Sequence, residues 1–142
     1  MNIHPERWPA GNPETGYLDT DGSPTKTYIL NDRRKKGESW FWQQNFGKKP
    51  AEELYDFKKD PWLLENLADN PEFQDVKAIL KQQLFEELKA EGDPRMFGKG
   101  DEFDKYPYAD ETGRDFYNRF MKGEELKAGW VSTTDFEKEE IH

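Results

Sequence analysis

The sequence predicts an α+β domain, a small antiparallel sheet packed on one long helix, with long irregular N- and C-terminal segments. Three observations predict it. Phe73, Val76, Leu80, Leu84 and Leu88 recur at steps of three and four, with Ile79 and Phe85 widening the stripe, which is the period of an amphipathic helix. Residues 40–46 and 51–57 are rich in strand formers and flank Gly47-Lys48-Lys49-Pro50, the pattern of a hairpin with a short loop. Only 33% of the 142 residues are apolar and 36% are charged, yet 15% are aromatic. A modest aromatic core with polar Pro- and Gly-rich segments lying on it reconciles those values.

Taken in order, residues 1–22 read as loop, because Pro5, Pro9, Gly11, Pro13, Gly16 and Gly22 crowd together. Trp8, Tyr17 and Leu18 are its expected anchors. Ser23 is placed to accept from orphan N–H groups and Pro24 is preset for a first helical position, so a helix is expected to run from Thr25 to about Lys36. Its buried patch is expected at Tyr28, Ile29 and Leu30, and Gly37 ends it. In the hairpin, about 40–57, alternation places Trp40, Trp42, Gln44 and Phe46 on one face and Phe41, Gln43 and Asn45 on the other. Asp60-Pro61 starts a short helical turn over Trp62, Leu63, Leu64 and Leu67. Asn70-Pro71 is a second cap-and-proline start, for the long helix at about 71–91 that Gly92 ends. The expected packing brings Leu54, Tyr55 and Phe57 against Val76, Leu80 and Leu84. A last helix is expected at about 111–122, and residues 124–142 form an extended tail anchored by Trp130 and Phe136. The chain reads as a single unit over 1–142, with a loop (1–22), a core (23–94) and a wrapping tail (95–142).

Two strands are marginal alone in water, and no convincing third strand occurs. Either Ile3 ends a strand whose beginning is missing, or another chain supplies the sheet. In both cases a free strand edge would favour self-association.

Composition narrows function. The chain has no cysteine, so no disulfide, zinc-thiolate site or thiol nucleophile is expected. A net charge of −9 argues against nucleic-acid binding, which needs a basic face; only Arg33-Arg34-Lys35-Lys36 is locally basic. No apolar run approaches a membrane span of ~18 residues, and the first residues lack the pattern of a signal peptide.

Chemical constellations are sparse. His4 and His142 are read as exposed residues near the termini. Asp19-Thr20-Asp21-Gly22 resembles part of a calcium loop, but with Gly22 at position 6, tyrosines fall at positions 1 and 12 where acids are needed. A turn before Ser23 is the better reading. The adjacent pairs Glu52-Glu53, Glu86-Glu87 and Glu139-Glu140 diverge and read as solvated faces. Arg33 to Lys36 reads as a helix end. Ser23 has neither a Gly-x-Ser-x-Gly setting nor a nearby base. No catalytic machinery is expected in this chain, and no catalytic, cofactor or metal residue is assigned.

Residues 49–68 are more specific than any of these. Glu53-Leu54-Tyr55-Asp56, Asp60-Pro61 and Asn66-Leu67-Ala68 resemble the C-terminal signature of sulfatases, and Asn70-Pro71-Glu72-Phe73, the long helix and Gly92-Asp93-Pro94 follow it. Ser23-Pro24-Thr25, the aromatic run after it, His4 to Gly11, Gly92 to Tyr108 and Gly129-Trp130 are similar to heparan N-sulfatases (N-sulfoglucosamine sulfohydrolases) and their bacterial relatives. Trp62-Leu63-Leu64 departs from the family, which commonly carries polar residues and an acid there. The resemblance implies a small C-terminal sheet with a helix packed on it. It also implies that the formylglycine nucleophile, made from Cys or Ser in a Cys/Ser-x-Pro-x-Arg motif, and the calcium belong to a catalytic domain upstream. That domain would be the partner on which the irregular segments lie, some bordering its cleft. Such sulfatases are commonly periplasmic or secreted.

The function expected is a non-catalytic C-terminal portion of a sulfatase acting on sulfate esters or N-sulfates of polysaccharides. The alternative is a carbohydrate-binding or protein-interaction module. Candidate substrate or partner contacts are Trp8, Trp40, Trp42, Trp130, Arg33 and Arg34. Exposed, coplanar tryptophans would favour sugar stacking and buried ones would remove it.

Overall fold

The computed structural model describes residues 1–108, 110–139 and 141; His142 and Glu140 lie outside them. The helices are α1 (Pro24–Lys36), α2 (Trp40–Asn45), α3 (Gln74–Ala90) and α4 (Phe116–Met121). Short 3₁₀ turns cover Pro13–Thr15, Pro71–Phe73, Pro94–Phe97, Gly100–Lys105 and Thr133–Asp135. The described residues contain no strand, so the expected sheet and hairpin are overturned, and with them the free strand edge.

The reason is local. Ser39 Oγ accepts from Trp42 N at 3.4 Å and donates to Asp32 Oδ2 at 2.9 Å, which caps a helix start where the first strand was expected. The helix turns Trp42 and Phe46, four residues apart, into the core and leaves Trp40 and Phe41 half exposed. The expected returning strand finds a side chain in place of a ladder partner. Leu54 N donates to Asn66 Oδ1 at 2.9 Å, Asn66 Nδ2 donates to Glu52 O at 3.2 Å, and Leu67 N donates to Leu54 O at 2.8 Å.

The chain divides into two compact units, 51–107 with Met1, and 2–50 with 108–142. The second holds the hydrophobic core, built from Ala10, Tyr17, Leu30, Trp42 and Phe46, with Trp8, Ile29 and Ile141 packed on it. α1 starts and stops as its sequence dictates. Ser23 Oγ accepts from Lys26 N at 3.1 Å, and Gly37, at φ 81°, closes the helix with its N–H on Arg33 O. The expected patch on α1 is corrected: Leu30 is buried, Ile29 half-buried and Tyr28 exposed, and the other buried residue is Lys26. The tail runs over the N-terminal loop, as Trp130 Nε1 donates to Leu18 O at 2.7 Å and Glu137 N to Pro13 O at 3.1 Å. Phe136 packs against Phe120, with ring centroids 5.5 Å apart. Gly16, at φ +76°, must be glycine on two counts. Its backbone is left-handed, and an added Cβ would come within 2.7 Å of Val131 Cγ1.

In the unit 51–107, α3 is capped by local chemistry. Asn70 Oδ1 accepts from Glu72 N at 3.0 Å in the leading 3₁₀ turn, and Gly92 N donates to Lys89 O at the exit. The expected packing is not found. Val76, Leu80 and Leu84 are 46%, 50% and 41% exposed and Phe57 is 70% exposed, and no residue of α3 is buried. Leu54 alone of the expected partners lines a groove with Leu80 and Leu84. Asp60-Pro61 starts a tight turn rather than a helical one: Asp60 Oδ2 accepts from Leu64 N (2.6 Å) and Glu65 N (2.8 Å).

Candidate functional site

In the unit 2–50 with 108–142, α1, α2 and the tail surround Arg33. Its guanidinium carbon lies 4.5 Å from the centroid of the buried Trp42 ring, a cation–π contact. Arg33 has no acidic partner among the described residues. On one side a groove is walled by Ser39, Trp40, Phe41 and Lys36; on the other, Thr27, Asn31, Arg34 and Thr134 line a second groove. Trp40 is 52% exposed and meets Phe41 edge-on at 5.2 Å. An exposed indole beside a half-buried guanidinium can hold a ring and an anionic substituent together.

The other candidate contacts are engaged. Trp42 Nε1 donates to Tyr17 OH at 2.9 Å. Trp8 packs edge-on against Trp42 at 6.1 Å, with Lys48 Nζ 4.6 Å over its ring. Trp130 is spent on Leu18 O. Arg34 ties down the tail, donating from Nε to Glu137 Oε2 at 3.0 Å and from Nη1 to Thr134 O at 2.8 Å. Of the six candidates, Trp40 and Arg33 therefore keep a face for a ligand.

Sequence reasoning missed the polar node beneath this site. Lys26, 3% exposed, donates to Gly16 O (2.8 Å), Tyr17 O (3.3 Å) and Thr20 O (2.6 Å) and lies 3.5 Å from Asp135 Oδ2. Thr27 Oγ1 holds Asp135 Oδ1 at 3.0 Å. Burial pushes the Lys26 ammonium below the usual lysine range, against the opposing pull of Asp135. Burial also holds the Tyr17 phenol well above the usual tyrosine range. The loop ahead of Ser23 thus turns three carbonyls onto a cation that the chain itself supplies.

Among the described residues no three His, Cys, Asp or Glu side chains stand where they could hold a metal, the chain has no cysteine, and Ser23 Oγ is a helix cap. His4 pairs with Glu6 at 2.9 Å.

In the unit 51–107, Glu52 stands between Lys81 (2.6 Å) and Lys77 (3.1 Å) at the groove of Leu54, Leu80 and Leu84. Trp62 is 81% exposed, and Leu63 beside it has φ 53°, a left-handed conformation costing roughly 1–2 kcal/mol for a non-glycine residue. The segment that departs from the sulfatase pattern is thus a strained turn presenting apolar side chains. The lysines, Lys81 first and then Lys77, hold the Glu52 carboxyl below the usual glutamate range. A depressed carboxyl contributes stability above its unfolded pKa of about 4.3, and the contribution is lost as pH falls through the folded value. NMR titration of the Glu52 carboxyl is therefore expected to give a midpoint below ~4.3. In Glu52→Gln the acid-induced rise in hydrogen exchange of Leu54 and Leu67 should shrink. A Glu52 midpoint at the ordinary value would contradict the clamp.

About half of the chain is sulfatase-related in sequence. A stretch of 72 residues, 51% of this chain, is 44% identical to an ulvan-active sulfatase of Formosa agariphila, of which it covers 13%. A stretch of 45 residues, 32% of the chain, is 51% identical to another ulvan-active sulfatase of that organism and covers 8% of it. The chain thus matches a small fraction of the length of these relatives. No family model and no solved structure matches.

Proposed function

We propose that the chain is a non-catalytic, C-terminal portion of a sulfatase-like hydrolase of sulfated polysaccharides, supporting or covering the substrate cleft of the catalytic domain. The observation that carries this reading is the 44% identity over 72 residues to a sulfatase. The chemistry of the chain agrees with it. Sulfate-ester hydrolysis needs an activated nucleophile and charge stabilisation around the sulfate, and the polar groups at the best-formed site, Lys26, Asp135 and Ser23, are spent on structure. The relatives act on ulvan by name, which favours a sulfated polysaccharide and gives no support to the N-sulfoglucosamine subtype. Trp40 and Arg33 favour a second, compatible role, contact with an anionic saccharide.

The test is turnover by the purified chain with an aryl sulfate and with N-sulfated glucosamine, with and without calcium. No sustained sulfate release is expected in any condition. Calcium-dependent release that a point mutation in this chain abolishes would overturn the assignment.

A further inference from the structure

We infer that Arg33 and Trp40 form a saccharide subsite selective for sparse sulfation, with one sulfate ester on Arg33 and an uncharged sugar ring beside it on Trp40. This rests on the proposed function, which makes the anion a sulfate ester, and names what the two residues select. Arg33 is set in place for an anion before any ligand arrives. Its guanidinium carbon lies 4.5 Å from the centroid of the Trp42 ring, and that ring is buried and donates from Nε1 to Tyr17 OH at 2.9 Å. Arg33 forms no ion pair among the described residues, so its planar fork keeps the donors that meet an oxyanion two at a time. A side chain already held on a ring loses little freedom on binding.

Two grooves meet at this residue. Arg33, Gly37 and Ile141 line both of them. The grooves hold about 880 Å³ and 660 Å³, each within the roughly 300–1,000 Å³ of a small-molecule site. Both open to solvent, which suits a polymer passing over Arg33 better than a molecule enclosed at one end. In the smaller groove Trp40 is 52% exposed and is held edge-on by Phe41, so its indole offers a flat apolar face to a sugar ring.

Charge sets the density of sulfation. Lys36 is held by Asp32 at 2.7 Å and Arg34 by Glu137 at 3.0 Å. Arg33 is therefore the one unpaired base of the Trp40 groove among the described residues. Glu38 lines the same groove, is exposed and forms no ion pair among them. A sulfate on the sugar over Trp40 would meet the Glu38 carboxylate with no cation left to offset it, a repulsive element against the wrong ligand. Sugar hydroxyls, in contrast, can donate to that carboxylate. In the larger groove Lys138 and Glu139 are of opposite sign and cancel. The chain's net charge of −9 repels a polyanion in proportion to the charge it carries. One sulfate flanked by neutral sugar is thus favoured over a sulfate on every sugar.

Titration calorimetry of the full chain tests this with four tetrasaccharides. They are κ-carrageenan, with sulfate on every second sugar, the same compound desulfated, ι-carrageenan, with sulfate on every sugar, and hyaluronan, with a carboxylate on every second sugar. The κ compound is expected to bind most tightly. Arg33→Gln and Trp40→Ala should each weaken it about tenfold, the scale of one charge-assisted contact or one stacked ring. Trp62→Ala, an exposed tryptophan of the unit 51–107, should leave it unchanged. Glu38→Gln should strengthen binding of the ι compound more than of the κ compound, a change that a structural role for Glu38 would not produce. Trp40→Ala is a surface change that keeps the chain folded, which its melting temperature checks, so the test stands even if Arg33→Gln unfolds. Binding of κ that neither Arg33→Gln nor Trp40→Ala weakens, or no binding of any compound, would overturn the subsite and leave the proposed function standing. Equal binding of κ and ι by the unaltered chain would overturn the selection for sparse sulfation, and equal binding of hyaluronan the choice of sulfate. Sulfate released in the same mixtures would instead overturn the non-catalytic reading, whatever the binding.

Discussion

Lys26→Met is expected to destabilise the unit formed by 2–50 and 108–142 by about 3–5 kcal/mol, the cost of removing one partner of a buried ion pair. The loss is large because the ammonium donates to three carbonyls and is at the same time the counter-charge of a buried carboxylate. Without it, the carbonyls of Gly16, Tyr17 and Thr20 lose their donor and the Asp135 carboxylate, fully buried, loses its counter-charge. Each unsatisfied buried group costs about 1–3 kcal/mol. Domains of this size are stable by only ~5–15 kcal/mol, so the variant should sit near the edge of folding. Urea denaturation followed by tryptophan fluorescence reads it directly. Asp135→Asn in the same background should recover part of the loss, since the stranded charge is then gone, and a double-mutant cycle gives the coupling. An unchanged urea midpoint for Lys26→Met would show that the node contributes nothing.

That node was illegible in the sequence, and the reason is physical. An amphipathic reading of α1 asks for apolar residues on the inward face, and Lys26 shares that face with Leu30, four positions on. A lysine is tolerated there only because three carbonyls from a loop and a carboxylate more than a hundred residues away meet its ammonium. The same distance hid the engagement of Trp130 by Leu18 and of Arg34 by Glu137. What could be read was local. Ser23-Pro24, Asn70-Pro71, Gly37 and Gly92 mark helix ends through hydrogen bonds within a few residues, and the structure places them as caps. A sulfatase relation was legible too: the order of residues 49–68 resembles a sulfatase signature, and a stretch of 72 residues of the chain is 44% identical to a sulfatase. Periodicity without context misled twice. The α3 stripe is a true helical stripe, yet it is exposed, since a pattern states which face wants cover and not that cover is present. The 40–46 run is made of strand formers, yet composition is a weak prior for strands, and Ser39 decides the matter by capping a helix.

The sharpest consequence is a contrast between two tryptophans two positions apart. A strand would place Trp40 and Trp42 on one face with equal burial; a helix turns them 200° apart. The structure buries Trp42 to 7% exposure and leaves Trp40 at 52%. Trp42→Ala is therefore expected to cost about 3–5 kcal/mol, as for large aromatic deletions in cores. It removes the ring that packs against Trp8 and lies under Arg33, and the Nε1 donor to Tyr17 OH. Trp40→Ala should stay within about 0.5 kcal/mol, as for a surface substitution, while weakening any saccharide contact made at the Arg33 groove. Both values come from the same denaturation experiment, so systematic error cancels in the comparison. Equal losses for the two variants would restore the two-residue period and remove α2 from the fold, and with it the wall of the groove in which Arg33 stands.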